Sequence, residues 1–335
     1  MSPMQLPPMQ LPPLLRGLVS YIPGANILLD TISKSIHPYY DDPKIIARYN
    51  YSIWLRHLVT AYRNGAFHRG APSVVAELGP GRSLGTGLAA LLSGAEKYYA
   101  FDVVRQASDK IDLEVLDELV RLFETKADIP DNTEWPTLQD SGLLLDSYDF
   151  PNYLLTEARL NDISAGRVAQ IKRAITRLAE DTSSDEMIRY FVPYDRLDVV
   201  KRGSVDMLCS RDVMEHVDDL DNTYKAMSYW LKTGGLVSQT VHFSSHGLTE
   251  EWNGHWAYSD FLWKLMKGNR PFFINREPYS THVNLLTKYG FKIIYNYIDT
   301  RTQDSIKRKA LSSRFRDISE VDFTTKSAFI QAVKT

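Results

Sequence analysis

The residues best suited to chemistry fall in two groups. The first is Glu77, Gly79, Gly81 and Asp102, within VVAELGPGRSLGTGLAALLSGAEKYYAFD, residues Val74–Asp102. An apolar run leads into Glu77-Leu78-Gly79-Pro80-Gly81, a helical pattern follows, and a second apolar run ends at Asp102. Strand, glycine loop, helix, strand and acid form the layout that brings a loop backbone close to a nucleotide-like cofactor. The acid at the second strand end then takes ribose hydroxyls. The second group is His242, His246 and His255, which just follow another strand pattern. A neutral imidazole there is suited to remove a proton from an alcohol.

The glycine spacing narrows the cofactor. A nicotinamide fingerprint places its third glycine three residues after the second, whereas this chain reads Gly79-x-Gly81-x-x-x-Gly85. A carboxylate at Glu77 does nothing for a pyrophosphate but suits a cofactor with an ammonium group and no phosphates. S-adenosylmethionine is such a cofactor.

Periodicity supplies the scaffold for these residues. Ile45, Ile46, Tyr49, Trp54, Leu55, Leu58, Val59 and Tyr62 recur at helical spacing. Strands are expected at Ser73–Leu78, Lys97–Phe101, Met187–Val192, Ser204–Cys209, Leu236–Val241, Phe291–Tyr297 and Ser327–Val333. Val213, Val217, Leu220, Tyr224, Met227 and Leu231 predict one helix, closed by a Gly234-Gly235 cap, and His282–Tyr289 predicts another. The interval 104–186 reads as a mostly helical insertion after the second strand. The fold class is therefore α/β, a Rossmann-like, mostly parallel seven-stranded sheet with an antiparallel edge strand. Residues 1–40 read as an N-terminal extension with a flexible start carrying a tandem MQLPP. Residues 41–335 read as the main domain.

Composition excludes little but sets bounds. The chain has 335 residues, 44% hydrophobic and 24% charged, as in ordinary globular proteins, and a formal net charge of −2. That charge gives no case for a nucleic-acid partner. The lone Cys209 suits a reducing cytoplasm. No run of about 18 apolar residues predicts a transmembrane helix, and Leu14–Leu29 allows at most a weak peripheral membrane contact.

On these motifs the chain resembles the class I S-adenosylmethionine-dependent methyltransferases. AELGPGRSLGTG matches their E-x-G-x-G motif, and Asp102 matches the acid closing the second strand. Ser204–Val241, with Glu215-His216-Val217, resembles the fourth strand and E-H-V of the methyltransferase-11 type. The resemblance implies that Gly79, Pro80 and Gly81 pass close to the cofactor's methionine end and that Glu77 faces its amino group. It implies that Asp102, followed by Val103, holds the ribose, and that Asp195, or alternatively Tyr194, lies near the adenine. Ser210 and Arg211 would line the methionine arm, and His216 would fix the loop above. Asn50–Leu58, Asn253–Trp263 and Ile274–His282 also look like uncharacterised bacterial methyltransferases for which sugar modification is inferred.

The acceptor is expected at residues 242–282, an aromatic-rich lid holding four of the eight histidines and Trp252, Trp256 and Trp263. Ring faces with polar tips suit a sugar. His246 is the first candidate base, with His242 and His255 as alternatives. His242, His246, Glu250 or Glu251, and His255 are the residues able to converge on a metal, but no H-E-x-x-H or cysteine set appears, so none is expected. Arg301, Lys307, Arg308, Lys309, Arg314 and Arg316 would either meet a phosphate or form a solvated face. The expected activity is methyl transfer to a sugar hydroxyl in a glycan or its precursor, then to a small-molecule or lipid oxygen. A non-catalytic cofactor-binding protein and an NAD(P)-dependent oxidoreductase are the rivals.

Overall fold

A computed structural model describes residues 13–22, 42–67, 71–136, 138, 141–160, 165–179, 187–194, 196–270 and 272–335. Asp195 lies outside the described residues, as does most of the expected N-terminal extension.

Seven strands form one sheet: β1 (Val74–Leu78), β2 (Lys97–Phe101), β3 (Ile188–Phe191), β4 (Val205–Arg211), β5 (Leu231–His242), β6 (Phe291–Thr300) and β7 (Thr325–Lys334). Their order is β3-β2-β1-β4-β5-β7-β6. The first five are mutually parallel, while β7 runs antiparallel to both β5 and β6. This is the Rossmann-like sheet with an antiparallel edge pair that the sequence predicts. The buried runs VVAEL and VDMLCSR fit central strands covered on both faces.

Ten helices flank the sheet among the described residues. They are α1 (Pro13–Val19), α2 (Pro43–Arg63), α3 (Gly85–Leu92), α4 (Asp109–Glu124), α5 (Glu157–Leu160), α6 (Ala165–Ala179), α7 (Leu220–Trp230), α8 (Asp260–Lys267), α9 (Tyr279–Lys288) and α10 (Glu320–Thr324). None is long and apolar enough to cross a membrane. Helix α2 starts where Asp42 accepts a bond from Lys44 N at 2.9 Å, with a proline in its first turn. Its middle is fully buried. Arg56 there donates to Ser52 Oγ, Asn132 Oδ1 and Pro130 O, which ties the β2–β3 interval to the core. That interval holds α4, α5 and α6, so its expected helical character is observed.

One predicted helix is shorter than its pattern. Val213 precedes it, Met214–His216 forms a 3-10 turn, and α7 begins only at Leu220, where Asp219 caps Asn222 N at 3.0 Å. Gly234-Gly235 do not cap it. The helix stops at Trp230, and the glycines sit inside β5, where pairing with β4 slips between Val205↔Leu231 and Met207↔Leu236. Gly234 takes φ +80°, so it serves a strand irregularity.

Register positions the site. Leu78 pairs with both Phe101 on β2 and Ser210 on β4. The residues after these strand ends, Gly79, Asp102 and Asp212, therefore emerge at one carboxyl edge. That is where open α/β sheets bind ligands.

Candidate active site

At this edge lies a cavity of about 430 Å³. Its floor is Gly79, Gly81, Phe101 and Asp102, and its walls include Val103, Gln106, Tyr194, Asp212, Val213, His216 and Thr223. Gly79 and Gly81 take φ +66° and +69°, the left-handed region that glycine enters freely. At Gly79 a Cβ would stand 2.5 Å from Val213 Cγ2, so the turn is closed against the loop after β4. The Gly79 amide donates to Phe101 O at 2.8 Å. Asp102 is buried, and its Oδ1 accepts from Val103 N at 2.7 Å and Val104 N at 3.4 Å. Burial raises its pKa, and the amides oppose that shift.

The described lining is rich in acids. Asp102, Asp212, Asp218 and Asp219 face the cavity and no lysine or arginine is among the described lining residues, although Arg211 pairs with Asp212 and Lys267 with Asp218. Sequence reasoning missed Asp212, Asp218, Asp219, Gln106, Asn222 and Thr223. Asp212 was findable, because it follows β4 as Asp102 follows β2.

Several expected contacts fall elsewhere. Glu77 does not line the cavity; its Oε2 accepts a 2.5 Å bond from Tyr98 OH, and burial pushes its pKa up to about 7. Pro80 is also absent from the lining. Ser210 is buried within the sheet beside Gln239, and Arg211 pairs with Asp212 at 3.1 Å and lies over the Tyr49 ring, so neither lines the cavity. Tyr194, the alternative to Asp195, does line it.

The histidines separate. His242 ends β5, its Nε2 3.8 Å from Asp212 Oδ1 and 3.4 Å from Ser141 Oγ. His246 sits in the loop beyond, its ring 6.3 Å from that of His242 and 5.1 Å from that of His216. Burial and then the neighbouring histidines lower the His246 pKa to about 4. Glu215 is the reverse case, its pKa raised well above the usual range, first by burial and then by Asp212. His255 is withdrawn from the edge. It is buried 4.9 Å from the Trp256 ring, and burial and Arg276 hold its pKa near 3.

The tryptophans also turn inward. Trp256 packs with Ile306, Leu311, Phe315 and Phe323, while Trp263 packs with Met266, Phe273 and Ile274. Trp252 is buried, with Nε1 donating to Ser305 Oγ at 2.9 Å. Glu250 and Glu251 are exposed. Within the basic stretch, Arg301 pairs with Asp304, Arg308 with Glu320 and Arg314 with Glu277, so three of the six cations are engaged by acids.

No protein-family model and no curated protein matches the chain. Solved structures do. Phosphoethanolamine N-methyltransferase 2 of Haemonchus contortus, in complex with phosphomonomethylethanolamine and S-adenosylhomocysteine, shares 16% identity over 84% of this chain, with a TM-score of 0.39. The chain spans about half of that protein, 52% of its length. An S-adenosylmethionine-dependent methyltransferase from Mesorhizobium loti shares 14% over 83% of this chain and 98% of its own, with a TM-score of 0.38. A Haloferax volcanii methyltransferase bound to the Trm112 activator shares 15% over 86% and 93%, with a TM-score of 0.37. Likeness at this level concerns the scaffold alone.

Proposed function

We propose that the chain is an S-adenosylmethionine-dependent methyltransferase acting on a hydroxyl. A sugar hydroxyl in a glycan or glycan precursor is the first acceptor class, and a small-molecule or lipid oxygen is the second. The observation that carries this reading is the cavity at the ends of β1, β2 and β4, with four aspartates and no lysine or arginine among its described lining residues. Two of its four aspartates are ion-paired, Asp212 with Arg211 and Asp218 with Lys267, and the acidity that Asp102 and Asp219 add favours a sulfonium and an ammonium over a pyrophosphate. Asp102 takes the ribose hydroxyls, and Phe101, Tyr194, Asn222 and Thr223 surround the base end.

In the transfer, an acceptor oxygen lone pair forms the O–C bond in line with the breaking S–C bond. Sulfur keeps that electron pair and becomes a neutral thioether. The acceptor proton needs a base. His242 supports that role better than His246, because Asp212 lies 3.8 Å from its Nε2 and can stabilise the imidazolium, while His246 at about 4 is a weak proton acceptor. His255 is buried too deeply to reach a substrate. We take residues 41–335 as the catalytic unit and the cytoplasm as its compartment.

The test is transfer of labelled methyl from S-adenosylmethionine to glycan, lipid and small-molecule fractions. Wild type is expected to label a glycan fraction, and His242→Ala to lose roughly 100-fold in kcat while still binding S-adenosylhomocysteine. Cofactor binding with no labelled product in any fraction would favour a non-catalytic binding protein.

A further inference from the structure

We propose that Glu215, His216 and His246 form a binding site for a first-row divalent transition-metal cation, set against the wall of the donor cavity. One ligand atom from each residue lies within 4.8 Å of the others, and His246 Nε2 is 3.9 Å from Glu215 Oε1. Bonds of about 2.0–2.2 Å put neighbouring ligand atoms about 3–3.5 Å apart, so small side-chain rotations close the set. Two imidazoles and one carboxylate are the donor mix that Zn²⁺, Co²⁺, Mn²⁺ and Fe²⁺ accept, whereas Mg²⁺ prefers oxygen alone.

Glu215 is the second, independent observation. Its side chain is only 4% accessible, and neither carboxylate oxygen has a well-formed hydrogen bond, the backbone of Glu215 and His242 offering only contacts short of one. His216 Nδ1 is buried and equally unpartnered. Buried acids are normally paired, hydrogen-bonded or bound to metal. The nearest charges are Asp212, another acid, and Arg211, already paired with Asp212 at 3.1 Å.

The surroundings hold the ligands still. Asn275 clamps the Met214–His216 turn, its Nδ2 donating to Met214 O at 2.8 Å and Val217 O at 2.9 Å and its amide donating to Glu215 O at 2.7 Å. His246 and Asp212 both take left-handed backbone, φ +50° and +53°, a region uncommon for non-glycine residues but one that His and Asp enter more readily than most. A third of the His246 side chain is accessible, so ions have a way in and coordination positions stay open.

The role of the cation rests on the methyltransferase reading. His216 and Asp212 line the donor cavity, so open positions on the cation would face the acceptor. A hydroxyl bound there acidifies and passes its proton to His242 as its oxygen takes the methyl group. Three protein ligands leave one open position in a four-coordinate site and two in a five-coordinate one, the second of which would suit an acceptor with vicinal hydroxyls.

The test is titration of chelator-stripped full-length protein with Co²⁺, read by its visible absorption, and with Zn²⁺, read by calorimetry. Wild type is expected to bind one equivalent. Glu215→Gln and His246→Ala are each expected to lose about 100-fold or more in affinity, and Glu250→Gln to match wild type. Absence of saturable one-to-one binding, or equal binding in all four proteins, overturns the site. S-adenosylhomocysteine affinity is measured alongside. If it persists while metal binding fails, the site is wrong and the donor reading stands. If metal binds and the cofactor does not, the site stands and its proposed role falls.

Discussion

The Gly79–Asp102 turn and the 242–282 segment both follow strands at the carboxyl edge of the sheet, yet they use their residues in opposite ways. The first spends glycines and one acid on an open cavity. The second buries Trp256 and Trp263 in two small cores; among its described residues only Phe272 lines the cavity, while His242 and His246 stand behind it, against the lining residues Asp212 and His216. Residue types that suit ligand binding therefore report a site only where the backbone forces them to a strand end. Large aromatics beyond that point answer first to the cost of exposing them.

Three substitutions break or sharpen this contrast. Trp256→Ala removes a fully buried ring, so stability is expected to fall by about 3–5 kcal/mol, with S-adenosylhomocysteine affinity unchanged in the folded protein. Thermal melts and calorimetry would read both, and an affinity loss without destabilisation would return this residue to the acceptor site. Glu77→Gln acts behind the donor loop. The folded-state pKa of Glu77, about 7, stands above its ordinary 4.5. Wild type keeps the stability from this group fully below 4.5 and loses it as pH rises through 7. The variant should therefore gain on wild type, by up to about 3 kcal/mol, between pH 4.5 and 8. A pH-independent difference between their melting curves would contradict a buried, proton-holding Glu77. Gly79→Ala combines a left-handed φ with a 2.5 Å approach to Val213, at a cost of about 2 kcal/mol, and loosens the cofactor loop. Unchanged melting and unchanged cofactor binding would show that the turn needs neither feature.

Much of this architecture was legible beforehand. Strand β2 coincides with its predicted span, and the glycine turn and Asp102 stand where the spacing put them. Those elements obey local rules of alternation, burial and φ. The errors arise where tertiary context decides. Val213 and Val217 share helical spacing with α7 but cover the cavity from a loop, and Gly234-Gly235 relieve a register slip instead of ending a helix. Glu77 is recognisable as part of the motif, but its bond to Tyr98, 21 residues on, depends on how β1 and β2 align. The Glu215–His216–His246 cluster joins a turn to a loop from the next strand, and no sequence spacing announces it.

The central claim is that an acid-lined cavity at the ends of β1, β2 and β4 binds a sulfonium cofactor. Calorimetry with S-adenosylhomocysteine and with NAD, on wild type and Asp102→Ala, tests it directly. The account predicts one-to-one binding of S-adenosylhomocysteine to wild type and a loss of about 10- to 100-fold in Asp102→Ala, with no comparable affinity for NAD. Preference for NAD, or no binding of S-adenosylhomocysteine to wild type, would contradict it.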